Sequence, residues 1–181
     1  MRTATGITAQ EFILRQGELH KLHPELAETD LADFTRLLKQ AFSANGDPDC
    51  DALTAVREAL GHYRGPFAQG ADHLWADAIR EHLTTQATDA ALRLAHQAEH
   101  TDASSQQQDA VLTLLEHLGA LHPDHERLTQ HAIRLYQAAG RHDAARHTYT
   151  RLERHLADLG LEPDPATRAL VTPRAHSRQM G

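Results

Sequence analysis

The sequence predicts an all-α protein: a stack of about seven helices in antiparallel hairpins, fronted by a short N-terminal β-hairpin. Three observations carry that expectation. Of 181 residues, 30 are Ala and 25 Leu, against 3 Val and 4 Ile, and strands need the β-branched and aromatic residues that are scarce here. From Ala71 to Leu118 there is neither Gly nor Pro, while apolar residues recur with a helical period. Aromatics make up only 4%, so the core must be Leu and Ala between closely approaching helices. The length fits one domain, or one domain with an appendage.

Residues 1–28 stand apart. Phe12, Ile13 and Leu14 lead into Arg15-Gln16-Gly17-Glu18 and then Leu19 to Leu22, a hairpin pattern with Gly17 at the turn. A lone hairpin is marginal in water and must lean on something else. Thr29 or Asp30 caps a first helix with Leu31, Phe34, Leu37, Leu38, Ala41 and Phe42 on one face, stopping at Asn45-Gly46. Asp47-Pro48 suggests an N-cap and first helical position for a second helix bearing Leu53, Val56 and Leu60. The two should pair antiparallel.

The turn-rich stretch from His62 to Gly70 reads as an ordered loop over the core, its aromatics Tyr63 and Phe67 buried. A long helix follows with the stripe Leu74, Trp75, Ile79, Leu83, Ala87, Ala91, Leu94 and Ala98; it ends near His100, and another begins near Gln106. Later helices carry Val111, Leu114, Leu115 and Leu118 before Pro123; Leu128, Ala132, Leu135, Tyr136 and Ala139 before Gly140; and Ala145, Thr148, Tyr149, Leu152, Leu156 and Leu159 before Gly160. Asp164-Pro165 opens a last short helix, and residues 173–181 form a flexible tail.

A repeat underlies the later helices. Asp109-Ala110 recurs as Asp143-Ala144 after 34 residues, and the same offset places Leu115 on Tyr149 and Leu118 on Leu152. A 34-residue helix-turn-helix period is the tetratricopeptide signature. In the phrase Tyr136 to Ala145, Gly140 takes the C-cap and Ala144 the close-contact position where paired helices touch.

Charge and composition exclude several function classes. The formal charge is −7, and only two of eighteen basic residues are Lys, which disfavours free-standing nucleic-acid binding. A single cysteine, Cys50, fits a reducing compartment. The apolar runs are too short for a membrane span, and the N-terminus lacks a signal-peptide core, so a cytoplasmic, non-membrane protein is expected.

Fifteen histidines raise a metal reading. His96 and His100, four apart on a helix face, could share an ion, yet spacing suggests no third ligand, and solvated surface histidine is the preferred reading. In the turn His122-Pro123-Asp124-His125, a histidine at a helix end is favoured by the helix dipole. No phosphate loop, paired carboxylate motif or nucleophile with a base is visible, so no catalytic residue, metal or cofactor is expected. Arg141, Arg146, His147, Arg151, Arg154 and His155 give one helix a basic face that could meet an acidic partner or nucleic-acid phosphates, although a charge run is usually a solvated face. Trp75 with Tyr63 and Phe67 could line a pocket, though aromatics clustered under a loop are more often core.

Residues 28 to 172 resemble a known family, the bacterial transcriptional activator domain of actinomycete antibiotic regulatory proteins. The likeness rests on Asp30-Leu31-Ala32-Asp33-Phe34, on Tyr63-Arg64-Gly65-Pro66-Phe67 followed by Trp75, on Leu135-Tyr136 with Gly140-Arg141, and on the run from Leu156 to Pro165. The resemblance implies a non-enzymatic, tetratricopeptide-like unit at 29–172, C-terminal to a winged-helix DNA-binding domain. Residues 11 to 23 look like that domain's wing, whereas its DNA-reading helices are missing from this chain, so DNA contact would come only through them. Expected partners are proteins: the winged-helix domain, a second subunit in a possible homodimer, or the transcription machinery. Tyr63, Arg64, Trp75, Arg141, Arg146, Arg151 and Arg154 are the candidate contacts. A free-standing repeat scaffold and a His-dependent metalloenzyme are the alternatives.

Overall fold

The computed structural model describes residues 13–23, 28–43, 51–101 and 103–172. A two-stranded antiparallel hairpin, β1 (Ile13–Gln16) and β2 (Leu19–Leu22), precedes seven helices: α1 (Asp30–Phe42), α2 (Ala52–His62), α3 (Leu74–His100), α4 (Ser105–Leu121), α5 (Glu126–Ala138), α6 (His142–Asp158) and α7 (Pro165–Val171). The helices form the hairpins α1/α2, α3/α4 and α5/α6, with α7 closing the far end against α5 and α6.

Local chemistry sets the element ends. Gly17 turns the β-hairpin at φ +66°, where a side chain would be strained. Thr29 caps α1 by accepting from the Ala32 amide. Helix α2 is capped by Asp51, which accepts from the Leu53 amide, and not by Asp47; the expected Asp47-Pro48 start, the Asn45-Gly46 stop and Cys50 lie outside the described residues, as do Phe12 and the tail at 173–181. The polar stretch after His100 breaks the chain as expected: Ser104 and Gln107 form a capping box, each side chain satisfying the other's backbone amide. After α6, Leu161 N donates to Leu156 O (2.8 Å) and Gly160 N to Ala157 O (3.0 Å), a Schellman closure that needs the left-handed Gly160.

One core runs from α1 to α6, and Leu118, Ile133 and Leu135 are wholly buried in its middle. The repeat is visible in it: Leu118 and Leu152 both pack inward. The tightest small-residue contact on α6 is made by Ala145 and not Ala144, which is only partly buried. Two stretches expected to face inward do not. Leu31 and Leu159 are exposed, and so is the first turn of α3, where Leu74 is 91% and Trp75 60% exposed. Ala76 and Leu83 carry that helix into the core instead.

Candidate partner-binding surface

The loop between α2 and α3 is the most irregular described part of the helical stack. Tyr63 at its start is buried, its ring 5.8 Å from Phe34 and 5.9 Å from His122. Its hydroxyl lies 2.9 Å from both Thr84 Oγ1 and His122 Nε2, and its carbonyl 3.3 Å from His117 Nε2. Burial pushes the phenol upward, and the Thr84 bond opposes the shift. His122 is pushed below the ordinary imidazole range, first by burial and then by His125, with Asp124 opposing. Dipole stabilisation of a charged His122, expected at the end of α4, is therefore outweighed by loss of solvent.

Arg80, on the second turn of α3, holds the rest of the loop. Its Nε donates to Phe67 O (3.0 Å), and Nη2 reaches the carbonyls of Ala68 and Ala71 (3.4 Å each) while Nη1 pairs with Asp77. Ala68, at φ +49°, sits in a backbone region that costs a non-glycine residue energy, and this clamp helps hold it there.

Around this loop the surface is mixed. A cleft of about 360 Å³ opens between the loop and the start of α1, floored by Phe34 and Leu83 and rimmed by Asp30, His62 and Arg64. Phe67 is half-buried and meets Trp75 edge-on at 6.3 Å, while His73 stacks on the indole's other side at 5.8 Å. Trp75 is therefore a surface residue held by two rings, next to the almost fully exposed Leu74.

The arginines do not form one basic face. Arg141 precedes α6; its guanidinium lies 4.7 Å over the Tyr136 ring and donates to Asp109 Oδ1 at 3.0 Å. The buried Tyr136 hydroxyl donates to the Glu116 carboxylate, and burial followed by that carboxylate pushes its pKa up to about 12. Arg146 pairs with Asp143 within α6. At about 100° per residue, Arg151 and Arg154 fall within roughly 60° of each other, while Arg146 lies about 80° or more away. Arg151 and Arg154 make no ion pair among the described residues.

His96 and His100 stand 4.2 Å apart between ring centroids, but His100 Nδ1 is taken by the His96 carbonyl at 2.8 Å. Among the described residues, no group of three or more metal-binding side chains comes together, and no helix is long and apolar enough to cross a membrane.

A capped stack of helical hairpins, with its polar side chains used between helices and an aromatic patch left outside, is the architecture of a tetratricopeptide-like regulatory domain. Comparison with known proteins gives the particular family: the model described as the bacterial transcriptional activator domain matches residues 29–172. The chain belongs to that family. Its fold is shared with a solved structure, Mycobacterium tuberculosis EmbR in complex with a low affinity phosphopeptide, at a TM-score of 0.52 and 23% identity. The match covers 93% of this chain and 44% of the EmbR chain, so the present chain spans less than half of that protein. A comparison with curated proteins returned no relative.

Proposed function

We propose that this domain is the regulatory and protein-interaction part of a transcriptional activator, and that its principal contact is with its own winged-helix DNA-binding domain. The carrying observation is the exposed pair Leu74 and Trp75, its indole in contact with His73 and with Phe67 of the clamped loop. A large aromatic side chain held in place and left in solvent has the chemistry of a binding anchor. The N-terminal hairpin supports the same reading. Its end pair, Ile13 opposite Leu22, is exposed, and such a hairpin gains stability only by packing on a further body. Arg151 and Arg154 offer a second contact, suited to an acidic surface on a sister subunit or on the transcription machinery. The domain acts in the cytoplasm, catalyses no reaction, and reaches DNA through its partner.

Transcription from a cognate promoter, driven by the intact regulator with and without residues 29–172, tests the assignment: activation should be lost with the domain removed. Undiminished activation would overturn it and favour a free-standing scaffold. Trp75→Ala combined with Leu74→Ser should lower activation without altering the domain's melting temperature.

A further inference from the structure

We propose that the groove between α1 and α3 is a binding site for a small oxyanion carrying an apolar body, its acid group held by Lys39 and Arg93. The groove exists because α1 packs on α2 and hardly touches α3. It is an open groove of about 250 Å³, below the usual range for drug-sized ligands and room for a small aromatic or aliphatic body.

Two cations, Lys39 and Arg93, line it with one carboxylate, Asp89. Neither Lys39 nor Arg93 makes an ion pair among the described residues, although Asp89 lies one helical turn before Arg93, where such a pair would form readily. The Arg93 guanidinium instead lies over the Phe42 ring, its Cζ 4.0 Å from the centroid. A guanidinium stacked on a ring can still donate through its N–H groups to a carboxylate or phosphate, in the best case by two hydrogen bonds. Lys39, one turn before Phe42 on α1, adds a second donor from the facing wall. Leu38 and Ala90 supply apolar surface for the rest of the ligand.

The second independent observation is Gln86. Its side-chain carbonyl oxygen is buried with no hydrogen-bond partner, and the residue lines this same groove. Orphaned buried polar atoms are rare in folded proteins. Turning the amide over gives up no bond at that oxygen and would let its N–H₂ donate to a ligand in the groove. The wall also carries Asp89, so the site holds two positive charges and one negative. The ligand class is an oxyanion in general, a carboxylate or a phosphate monoester, and the two are separable by experiment.

Isothermal titration calorimetry of the full chain with phenyl phosphate, phenylacetate, inorganic phosphate and benzyl alcohol tests the site. Saturable one-to-one binding of at least one aromatic anion is expected, with no binding of neutral benzyl alcohol. Affinity should fall about tenfold or more in the K39Q/R93Q variant and rise several-fold in Asp89→Asn, since charge-assisted bonds dominate such sites. Phenyl phosphate against phenylacetate then tells the phosphate monoester from the carboxylate. Failure of both aromatic anions to saturate, or affinities unchanged in K39Q/R93Q, overturns the proposal. Inorganic phosphate binding as tightly as phenyl phosphate overturns the role of the apolar wall. Lys39 and Arg93 are both exposed, but Arg93 also ties α1 through Phe42, so the variant should melt slightly below the parent; the rise in Asp89→Asn reads the site independently of any loss of fold.

Discussion

Helices α1 and α5 are each thirteen residues long and each buries one apolar stripe, yet they are held very differently. Helix α5 packs against α3, α4, α6 and α7, and α1 essentially against α2. The polar ties follow the same division. On α5, His131 Nδ1 meets Glu99 of α3 at 2.6 Å with both side chains largely buried, Tyr136 donates to Glu116 of α4, and Gln137 Nε2 donates to Leu170 O of α7 at 2.6 Å. Glu126 accepts from the Asp164 amide and the Thr167 hydroxyl, and Gln130 donates to Thr167 at 2.8 Å. Helix α1 has the Phe34–Tyr63 ring contact and the Arg93–Phe42 stacking in place of these. An amphipathic stripe makes a helix; the number of neighbours sharing it decides how firmly that helix is held.

The largest expected effect lies in the shared core. Leu118→Ala, at a site with no solvent exposure, should destabilise by roughly 3–5 kcal/mol, and Leu38→Ala on α1 by about 2–3 kcal/mol, because α1 is free to close over the space. Chemical denaturation of both variants measures the gap; equal losses would end the contrast. Glu99→Ala should cost about 1–3 kcal/mol by leaving buried His131 without its acceptor, and thermal melts against the parent check this. Native-state hydrogen exchange should show α1 amides exchanging faster than α5 amides, and the reverse order would break the comparison outright.

A smaller effect is set by pH. His122 has a folded pKa below its unfolded value of 6.5, so the folded state disfavours the proton. The associated stability is fully present above pH 6.5 and declines as the pH falls through and below that value. Melting temperature should therefore drop on acidification from pH 7.5 to 5.5, and His122→Gln should flatten that slope. Smallest of all, Trp75→Ala should leave stability within about 0.5 kcal/mol, since the indole is mostly in water.

How much of this was legible in sequence differs between its parts. Gly17, Thr29, Gly140, Gly160 and Asp164 act through local backbone chemistry, and each is readable from its immediate neighbours; the helices and their order follow. The 34-residue offset places Leu118 and Leu152 correctly for the same reason: equivalent positions of stacked hairpins meet equivalent surroundings. Periodicity could not tell where a helix projects beyond its neighbours. Leu74 and Trp75 continue the stripe of α3, but no helix faces that first turn, so they lie in solvent. The arginine cluster likewise looked like one face because Arg141 and Arg146 are near Arg151 in sequence; Arg141 turns to Tyr136 and Asp109, and Arg146 to Asp143. Arg80 and Asp51 act through a loop conformation and a cap choice that no short motif announces.

The clamp made by Arg80 has a mechanical consequence. One side chain reaches three carbonyls of the 63–71 loop and so ties that loop to α3. Helix α3 is 27 residues long, about 40 Å of rod at 1.5 Å per residue, and it carries Trp75 at one end and Glu99 near the other. The indole and the Glu99–His131 bond stand roughly 36 Å apart along this rod, so one helix joins the exposed aromatic end of the molecule to its best-anchored repeat.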